Sequence, residues 1–151
     1  MKGDRNRITI VMAEDDADDK LLAIEALEEA RLANDLHCVE DGEELMDYLH
    51  RVGKYEGRPG PHHPGIILLD LNMPKKDGRE ALKEIKNDPE LRHIPIVVLT
   101  TSQAEEDIYR SYKLGCNSYI TKPVTFEGLV KIMKDLGKYW FEIVALPDSG
   151  G

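Results

Sequence analysis

The chain has 151 residues, of which 41% are hydrophobic, and its 29 acidic and 20 basic side chains give a net charge of -9. This length is typical of one domain, and the negative charge repels nucleic acid and anionic lipid, so neither is an expected partner. No apolar run approaches the roughly 20 residues of a membrane-spanning helix, and residues 1–7 lack a signal-peptide core, so we expect a cytoplasmic protein that does not contact membranes.

The first predicted strand covers residues 8–13, where the run ITIVMA is almost continuously apolar or β-branched. Such a run is typical of a strand buried on both faces of a parallel sheet. The strand ends in acidic residues, of which Asp16 is placed to cap a helix with Asp19 three residues further on. An apolar stripe predicts that helix, and its members are Leu21, Ile24, Leu27 and Ala30.

A second strand is predicted near residues 36–39, followed by Asp41 and Glu44, which form a cap-like pair before a helix. Residues 53–65, GKYEGRPGPHHPG, contain too many Gly and Pro residues to continue a helix or to join the middle of a sheet. We therefore predict an exposed loop in this segment.

The third predicted strand, residues 66–69, runs directly into Asp70. Its apolar character again indicates burial on both faces of a sheet. Asp77 begins the next helix, which extends to about Asn87, because Asp88-Pro89 follows as a helix breaker.

The fourth predicted strand, residues 94–99, precedes a helix for which Ser102 and Glu105 offer a capping box. The fifth strand, residues 118–120, is followed by Lys122 and by a last helix that begins at about Thr125.

Five strands that alternate with five helices predict right-handed crossovers, and hence an α/β fold with a mostly parallel sheet covered on both faces. In such a sheet, ligands bind beyond the carboxyl ends of the strands. The side chains predicted to meet there are those of Glu14, Asp15, Asp70, Thr100 and Lys122.

Three carboxylates at one sheet edge repel one another unless a cation or protons intervene, and Mg²⁺ fits best because it prefers oxygen ligands. Asp70 is the best candidate nucleophile, since a carboxylate can attack phosphorus to form an acyl phosphate. Lys122 could supply a point charge to the transferred group, and the Thr100 hydroxyl could donate a hydrogen bond to it.

The motifs MAEDD, LLDLNMPKKDG, VVLTTS and YITKP follow the first, third, fourth and fifth strands in order, and with them the sequence resembles the receiver domains of two-component response regulators. The resemblance implies a flavodoxin-like, doubly wound sheet with strand order 2-1-3-4-5. It also implies one receiver domain over residues 1–151, with a core at about 7–145 and no output domain. In its 53–65 loop and its carboxyl end KYWFEIVALP, the chain resembles the response regulators that partner cyanobacterial phytochrome histidine kinases.

The resemblance assigns the phosphoacceptor role to Asp70 and direct metal ligation to Asp15. It makes Glu14 a ligand that acts mainly through water, and the backbone carbonyl of Asn72 the remaining protein ligand. The implied metal is Mg²⁺, with Mn²⁺ as an alternative.

The resemblance also makes Thr100 the switch hydroxyl, Tyr119 the aromatic rotamer switch and Lys122 the cation that pairs with the phosphate. It implies a cis peptide bond between Lys122 and Pro123, which an X-Pro bond tolerates at modest cost.

The expected role is that of a phosphoacceptor and not of an enzyme: Asp70 accepts a phosphoryl group from a histidine kinase, and the resemblance points to a kinase of the phytochrome type. Output would then pass through binding of another protein, onward phosphotransfer, or a homodimer formed by the fourth helix, fifth strand and fifth helix or by the carboxyl end.

One alternative is an aspartyl-nucleophile phosphohydrolase, which usually has an acid two positions after the nucleophile, where this chain has Asn72. Another is a phosphorylation-independent binding module, which would be expected to lack one of the key residues.

Overall fold

A computed structural model describes residues 9–30, 35–59 and 63–138. The strands are β1 (Thr9–Ala13), β2 (Asp35–Val39), β3 (Ile66–Leu69), β4 (Ile96–Thr100) and β5 (Ser118–Thr121). The helices are α1 (Ala17–Glu29), α2 (Gly42–His50), α3 (Gly78–Asn87), α4 (Glu105–Leu114) and α5 (Phe126–Gly137), with a 3₁₀ turn at Gly53–Tyr55. None of these helices is long and apolar enough to cross a bilayer.

All five strands are parallel and lie in the order β2-β1-β3-β4-β5, which confirms the predicted doubly wound fold. The register aligns Ala13 with both Val39 and Leu69, so the carboxyl ends of the three strands reach the same level. Backbone hydrogen bonds extend this alignment past the strands: the Glu14 N–H donates to the Val39 carbonyl at 3.0 Å, and the Asp70 N–H donates to the Ala13 carbonyl at 3.1 Å.

The sheet separates two apolar clusters because successive side chains of a strand point to opposite faces. In β1, Val11 and Ala13 join the cluster under α2 and α3, whereas Ile10 and Met12 join the cluster under α1 and α5. β3 and β4 are buried along their whole length, as their continuous apolar sequences predict.

Four of the five helices begin with a side-chain cap. The carboxylates of Asp16, Asp41 and Asp77 and the hydroxyl of Thr125 each accept a hydrogen bond from a backbone N–H in the first turn. The exception is α4, whose N-cap is Ala104. The predicted capping box of Ser102 was wrong because α4 begins only at Glu105, so the Ser102 hydroxyl accepts from the Ala104 N–H at 3.4 Å and donates to the Asp107 carboxylate at 2.6 Å.

Some sequence-based expectations need correction. Leu21 is not part of the buried stripe of α1, since its side chain is 55% exposed and the helix packs through Ala23, Ala26 and Leu27. β4 begins at Ile96, two residues later than predicted. The carboxyl-terminal aromatic residues proposed for self-association, at positions 139–141, lie outside the described residues.

The predicted loop at 53–65 is anchored at its start and is not wholly exposed. Tyr55 is buried, and its hydroxyl donates to the Glu44 carboxylate. The hydroxyl oxygen of Tyr55 also lies 3.0 Å from His37 Nε2. The ring of Tyr48 stacks on His37 at 4.7 Å and meets Tyr55 edge-on at 5.1 Å. This aromatic cluster fixes the loop against the outer strand β2.

Candidate functional site

Three carboxylates meet at the carboxyl edge of the sheet, where the sequence places them. Glu14 and Asp70 are only 4% and 6% exposed, whereas Asp15 faces solvent. One oxygen from each carboxylate lies within 4.8 Å of the others. The aligned ends of β1 and β3 cause this meeting, because Glu14 and Asp70 each follow directly on residues that are paired in register.

Lys122 brings its ammonium group into the same cluster. Its Nζ forms an ion pair with Glu14, lies 3.0 Å from Asp19 Oδ2 and lies 3.7 Å from Asp70 Oδ2. The Lys122-Pro123 bond is trans, so the prediction of a cis bond was wrong. The trans form is the favoured isomer of an X-Pro bond, and Lys122 reaches the carboxylates from it without the cis geometry.

The cluster carries more negative charge than one lysine can balance. Burial raises the pKa of Glu14 to about 7, and the charge of Asp70 adds to this rise, although the hydrogen bond and charge of Lys122 oppose it. For Lys122, burial disfavours the charged form, but hydrogen bonds to Glu14 and Asp19 and the charge of Asp70 outweigh it and raise the pKa. Carboxylate oxygens are hard ligands, so this donor set fits a divalent cation.

The two predicted switch residues converge on one segment. Thr100 is fully buried, and its Oγ1 accepts from the Ser102 N–H at 3.4 Å. The half-buried Tyr119 donates its hydroxyl to the carbonyl of Ser102 at 3.0 Å. The backbone N–H of Lys122 also donates to the Thr100 carbonyl at 2.8 Å, which holds the end of β5 against the end of β4.

Asn72 stands two positions beyond Asp70, the phosphoacceptor candidate. Its backbone N–H donates to Asp70 Oδ1 at 3.4 Å, so the carboxylate is oriented from its own loop. The Asn72 side-chain carbonyl in turn accepts from the guanidinium of Arg79 at 3.4 Å.

Sequence reasoning missed two contributors to the site. The sequence indicates Asp19 only as a helix-start charge three residues after the Asp16 cap and gives no sign of its contact with Lys122. Arg79 makes a two-pronged ion pair with Asp107 at 2.7 Å for each contact, although 28 residues separate them. One signal for Arg79 existed, because a cation in the first turn of a helix opposes the helix dipole and calls for a partner.

The Arg79–Asp107 pair joins the loop after Asp70 to Ser102. Arg79 also lies 3.5 Å from the Leu71 carbonyl, and Asp107 accepts the hydroxyl of Ser102. The hydrogen bond from Arg79 holds the pKa of Asp107 down at about 2, with help from Ser102 and against the effect of burial. A continuous series of hydrogen bonds therefore runs from Asn72 through Arg79 and Asp107 to Ser102, whose carbonyl accepts the hydroxyl of Tyr119.

A small cavity of about 170 Å³ opens beside the acidic cluster. Its polar wall includes Glu14, Asp70 and Lys122, and its apolar wall comes from α1, β4 and the start of α5. Leu22 of α1 lines this cavity and is also exposed, so an apolar surface adjoins the carboxylates.

A parallel sheet of this order, with acidic residues and a lysine at its carboxyl edge, defines a receiver. Consistent with this, a model of the response regulator receiver domain matches residues 10–134, and the chain belongs to that family. It therefore acts as a response regulator in a phosphorelay, which implies a histidine kinase as its partner.

Phytochrome response regulators are among the similar proteins. Response regulator Rcp1 of Synechocystis is 44% identical over 138 residues, which are 91% of this chain and 92% of Rcp1. The phosphorylated cyanobacterial phytochrome response regulator RcpA is 44% identical, with a TM-score of 0.86 over 94% of this chain and 99% of that one. The Mn²⁺-bound form of Rcp1 is 42% identical, with a TM-score of 0.84 over 93% and 99% of the two chains. With the acidic cluster, this likeness indicates divalent metal binding.

Proposed function

We propose that Asp70 is the phosphoacceptor and that Mg²⁺ is the resident cation, held by Glu14, Asp15, Asp70 and the carbonyl of Asn72. The observation that carries this proposal is the convergence of three carboxylates and one ammonium group at a single sheet edge. When bound, the cation supplies positive charge to the oxygens of the phosphoryl group during transfer.

The protein's own part in the transfer follows from the position of Asp70. One carboxylate oxygen forms a bond to phosphorus while the phosphorus–nitrogen bond of a phosphohistidine breaks. The bonding electron pair returns to the imidazole, which then takes a proton. Lys122 is 3.7 Å from Asp70 and is the cation available to pair with the new phosphoryl group, while the buried Thr100 hydroxyl is its candidate hydrogen-bond donor.

Mass spectrometry after treatment with acetyl phosphate and Mg²⁺ tests the assignment. We expect the wild-type chain to gain one phosphoryl group and Asp70→Asn to gain none. Asp47→Asn serves as the control, since this carboxylate lies on α2 away from the cluster. A gain that persists in Asp70→Asn would refute the role of Asp70.

We further propose a histidine kinase of the phytochrome type as the donor, on the strength of the similarity to Rcp1 and RcpA. A phosphotransfer profile against a panel of purified histidine kinases tests this, with transfer from a phytochrome-type kinase expected to be fastest. Equal transfer from unrelated kinases would contradict it.

We propose that the chain is a phosphoacceptor and not a turnover phosphohydrolase. Asn72 offers no titratable acid two positions after Asp70, as such enzymes usually require. The expected result is no multiple turnover of p-nitrophenyl phosphate, and sustained turnover that Asp70→Asn abolishes would favour the hydrolase instead.

For output, we propose that phosphorylation alters a surface of α4, β5 and α5, either for a protein partner or for a second copy of the chain. The exposed rings of Tyr109 and Tyr112 on α4 support this surface. Analytical ultracentrifugation with and without acetyl phosphate separates the two outcomes.

A further inference from the structure

The groove between α3 and α4 lies outside the acidic edge and has the features of a binding surface. We propose that it docks a helical segment of a partner protein that carries acidic side chains beside apolar ones. The groove encloses about 350 Å³, and its lining is mostly apolar with a charged rim. The proposal does not depend on the chemistry of Asp70.

The floor of the groove contains an unsatisfied polar group. Leu82 and Leu114 supply the apolar part, and Ser111 lies between the turns of α4 with only 2% of its surface exposed. Among the residues that the structure describes, the Ser111 hydroxyl has no hydrogen-bond partner. A buried hydroxyl without a partner is unfavourable, so a docked segment that contacts it gains a hydrogen bond at no cost to the fold.

The rim of the groove is more basic than the protein as a whole. Four cations line it, namely Arg79, Lys83, Arg110 and Lys113, against the two acids Glu80 and Asp107. Arg79 and Asp107 bind each other, and Arg110 pairs with Glu106 at 2.8 Å.

Lys83 and Lys113 remain available at this rim. Both are exposed, and neither has an ion-pair partner within residues 9–30, 35–59 and 63–138. Lys113 has only the ring of Tyr109, at 5.9 Å. Of the acids at this rim, Glu80 likewise has no ion pair within the described residues, so two lysines stand against one acid and give the groove a local positive excess that favours an acidic partner in a chain of net charge -9.

The shape of the groove favours a helix over a small anion. Two packed helices form its walls, and an amphipathic helix in a groove between helices is a common recognition mode. A free phosphate or a nucleotide would use the cations but leave the apolar floor uncovered.

The test uses a synthetic amphipathic helix with Leu at positions i, i+4 and i+7 and Glu at the flanking positions. It is titrated into the ¹⁵N-labelled full chain and followed by NMR. We expect shifts confined to α3 and α4, and affinity about tenfold weaker for Lys83→Glu/Lys113→Glu. The matched control, Lys131→Glu/Lys134→Glu, reverses two charges on α5 and should bind within about twofold of wild type.

A second variant separates binding from folding. Ser111→Ala removes the unpartnered hydroxyl, so it should weaken peptide binding while leaving the melting temperature equal or higher. A lower melting temperature with unchanged binding would make Ser111 a structural residue. Absence of binding to wild type, equal loss in both double variants, shifts elsewhere, or self-association through the groove would overturn the proposal.

Discussion

At the level of single residues, the site depends on one lysine that serves several carboxylates. The ammonium group of Lys122 forms ion pairs with Glu14, Asp19 and Asp70, but it forms none with Asp15. Because burial and like charge already raise the pKa of Glu14 to about 7, added positive charge should be strongly stabilising here. The residues around Asp70 are therefore arranged for a cation that the chain itself does not supply in full.

The exposed Asp15 gives a direct test of metal binding. Mg²⁺ should raise the melting temperature of the wild-type chain, by an amount equivalent to about 2.7 kcal/mol when the cation is at 100 times its Kd. Asp15→Asn should lose most of this rise while its melting temperature in EDTA stays close to that of wild type. The exposed neighbour Asp18 is the control, and Asp18→Asn should respond to Mg²⁺ like wild type.

The Arg79–Asp107 pair should make stability depend on pH in the acid range. The pKa of Asp107 falls from its ordinary 3.8 to about 2, so the pair stabilises the fold fully above pH 3.8 and loses this effect as the pH falls toward 2. Asp107→Asn should therefore cost about 1–2 kcal/mol at pH 6, and clearly less at pH 3, in urea unfolding. The surface pair of Glu106 with Arg110 is the comparison, and a pH-independent cost for Asp107→Asn would contradict the account.

At the level of elements, tight backbone contacts hold the site as firmly as side chains do. Gly78 begins α3, and its N–H donates to the Leu71 carbonyl at 2.9 Å. A Cβ at this position would lie 2.1 Å from the carbonyl oxygen of Asp70 and 2.7 Å from the Cα of Leu71. The first turn of α3 is thus packed directly against the backbone of Asp70 and Leu71.

Gly78→Ala should destabilise the fold by about 1–3 kcal/mol, because the clash is with backbone that cannot move aside cheaply. It should also slow phosphorylation by acetyl phosphate more than the stability loss explains, since Asp70 itself must shift. Gly57→Ala is the control: the φ of +72° at this position strains an alanine, but no atom lies within 4 Å of the added Cβ. Unfolding curves and phosphorylation rates on both variants check this, and equal rates would contradict it.

The sequence predicted the elements well where local chemistry determines them. The helix caps at Asp16 and Asp41 were correct because a carboxylate just before an apolar stripe can accept the free N–H groups of the first turn, and Asp77, predicted as the helix start, proved to be the cap of α3. Ser102 failed as a cap because α4 begins only after Ala104, while the Ser102 hydroxyl donates to Asp107, five residues further on, and periodicity contains no information on such side-chain partners. Arg79 with Asp107 was out of reach for the same reason, since such pairs form only once the sheet has brought α3 beside α4.

At the level of the whole molecule, charge and topology act in opposite directions. The parallel sheet with two apolar clusters holds the chain together, whereas the net charge of -9 and the acidic edge push it apart. The carboxylates meet only because β1 and β3 are neighbours in the sheet, an order that the alternation of elements alone does not specify. The family motifs supplied that order, and the register then confirmed which side chains reach the edge.

This balance predicts a response to ionic strength. Raising NaCl from low to physiological concentration should increase the free energy of unfolding, because screening weakens the repulsion among acidic groups. The increase should shrink once Mg²⁺ is present, since the cation neutralises the densest part of that charge. Urea unfolding at several salt concentrations, with Mg²⁺ and with EDTA, measures both effects, and lower stability in salt would contradict this view.

The bare start of α4 has a kinetic consequence. With Ala104 before it, no side chain caps the first backbone N–H groups of this helix, so these groups lack the hydrogen bond that protects their counterparts in the other four described helices, although Asp107 anchors the turn to Arg79 and Ser102. Amide protons of residues 105–108 should then exchange with deuterium sooner than those at the starts of α1, α2, α3 and α5. The turn that exchanges first would then lie shortly after Ser102, the residue that Thr100 and Tyr119 both contact.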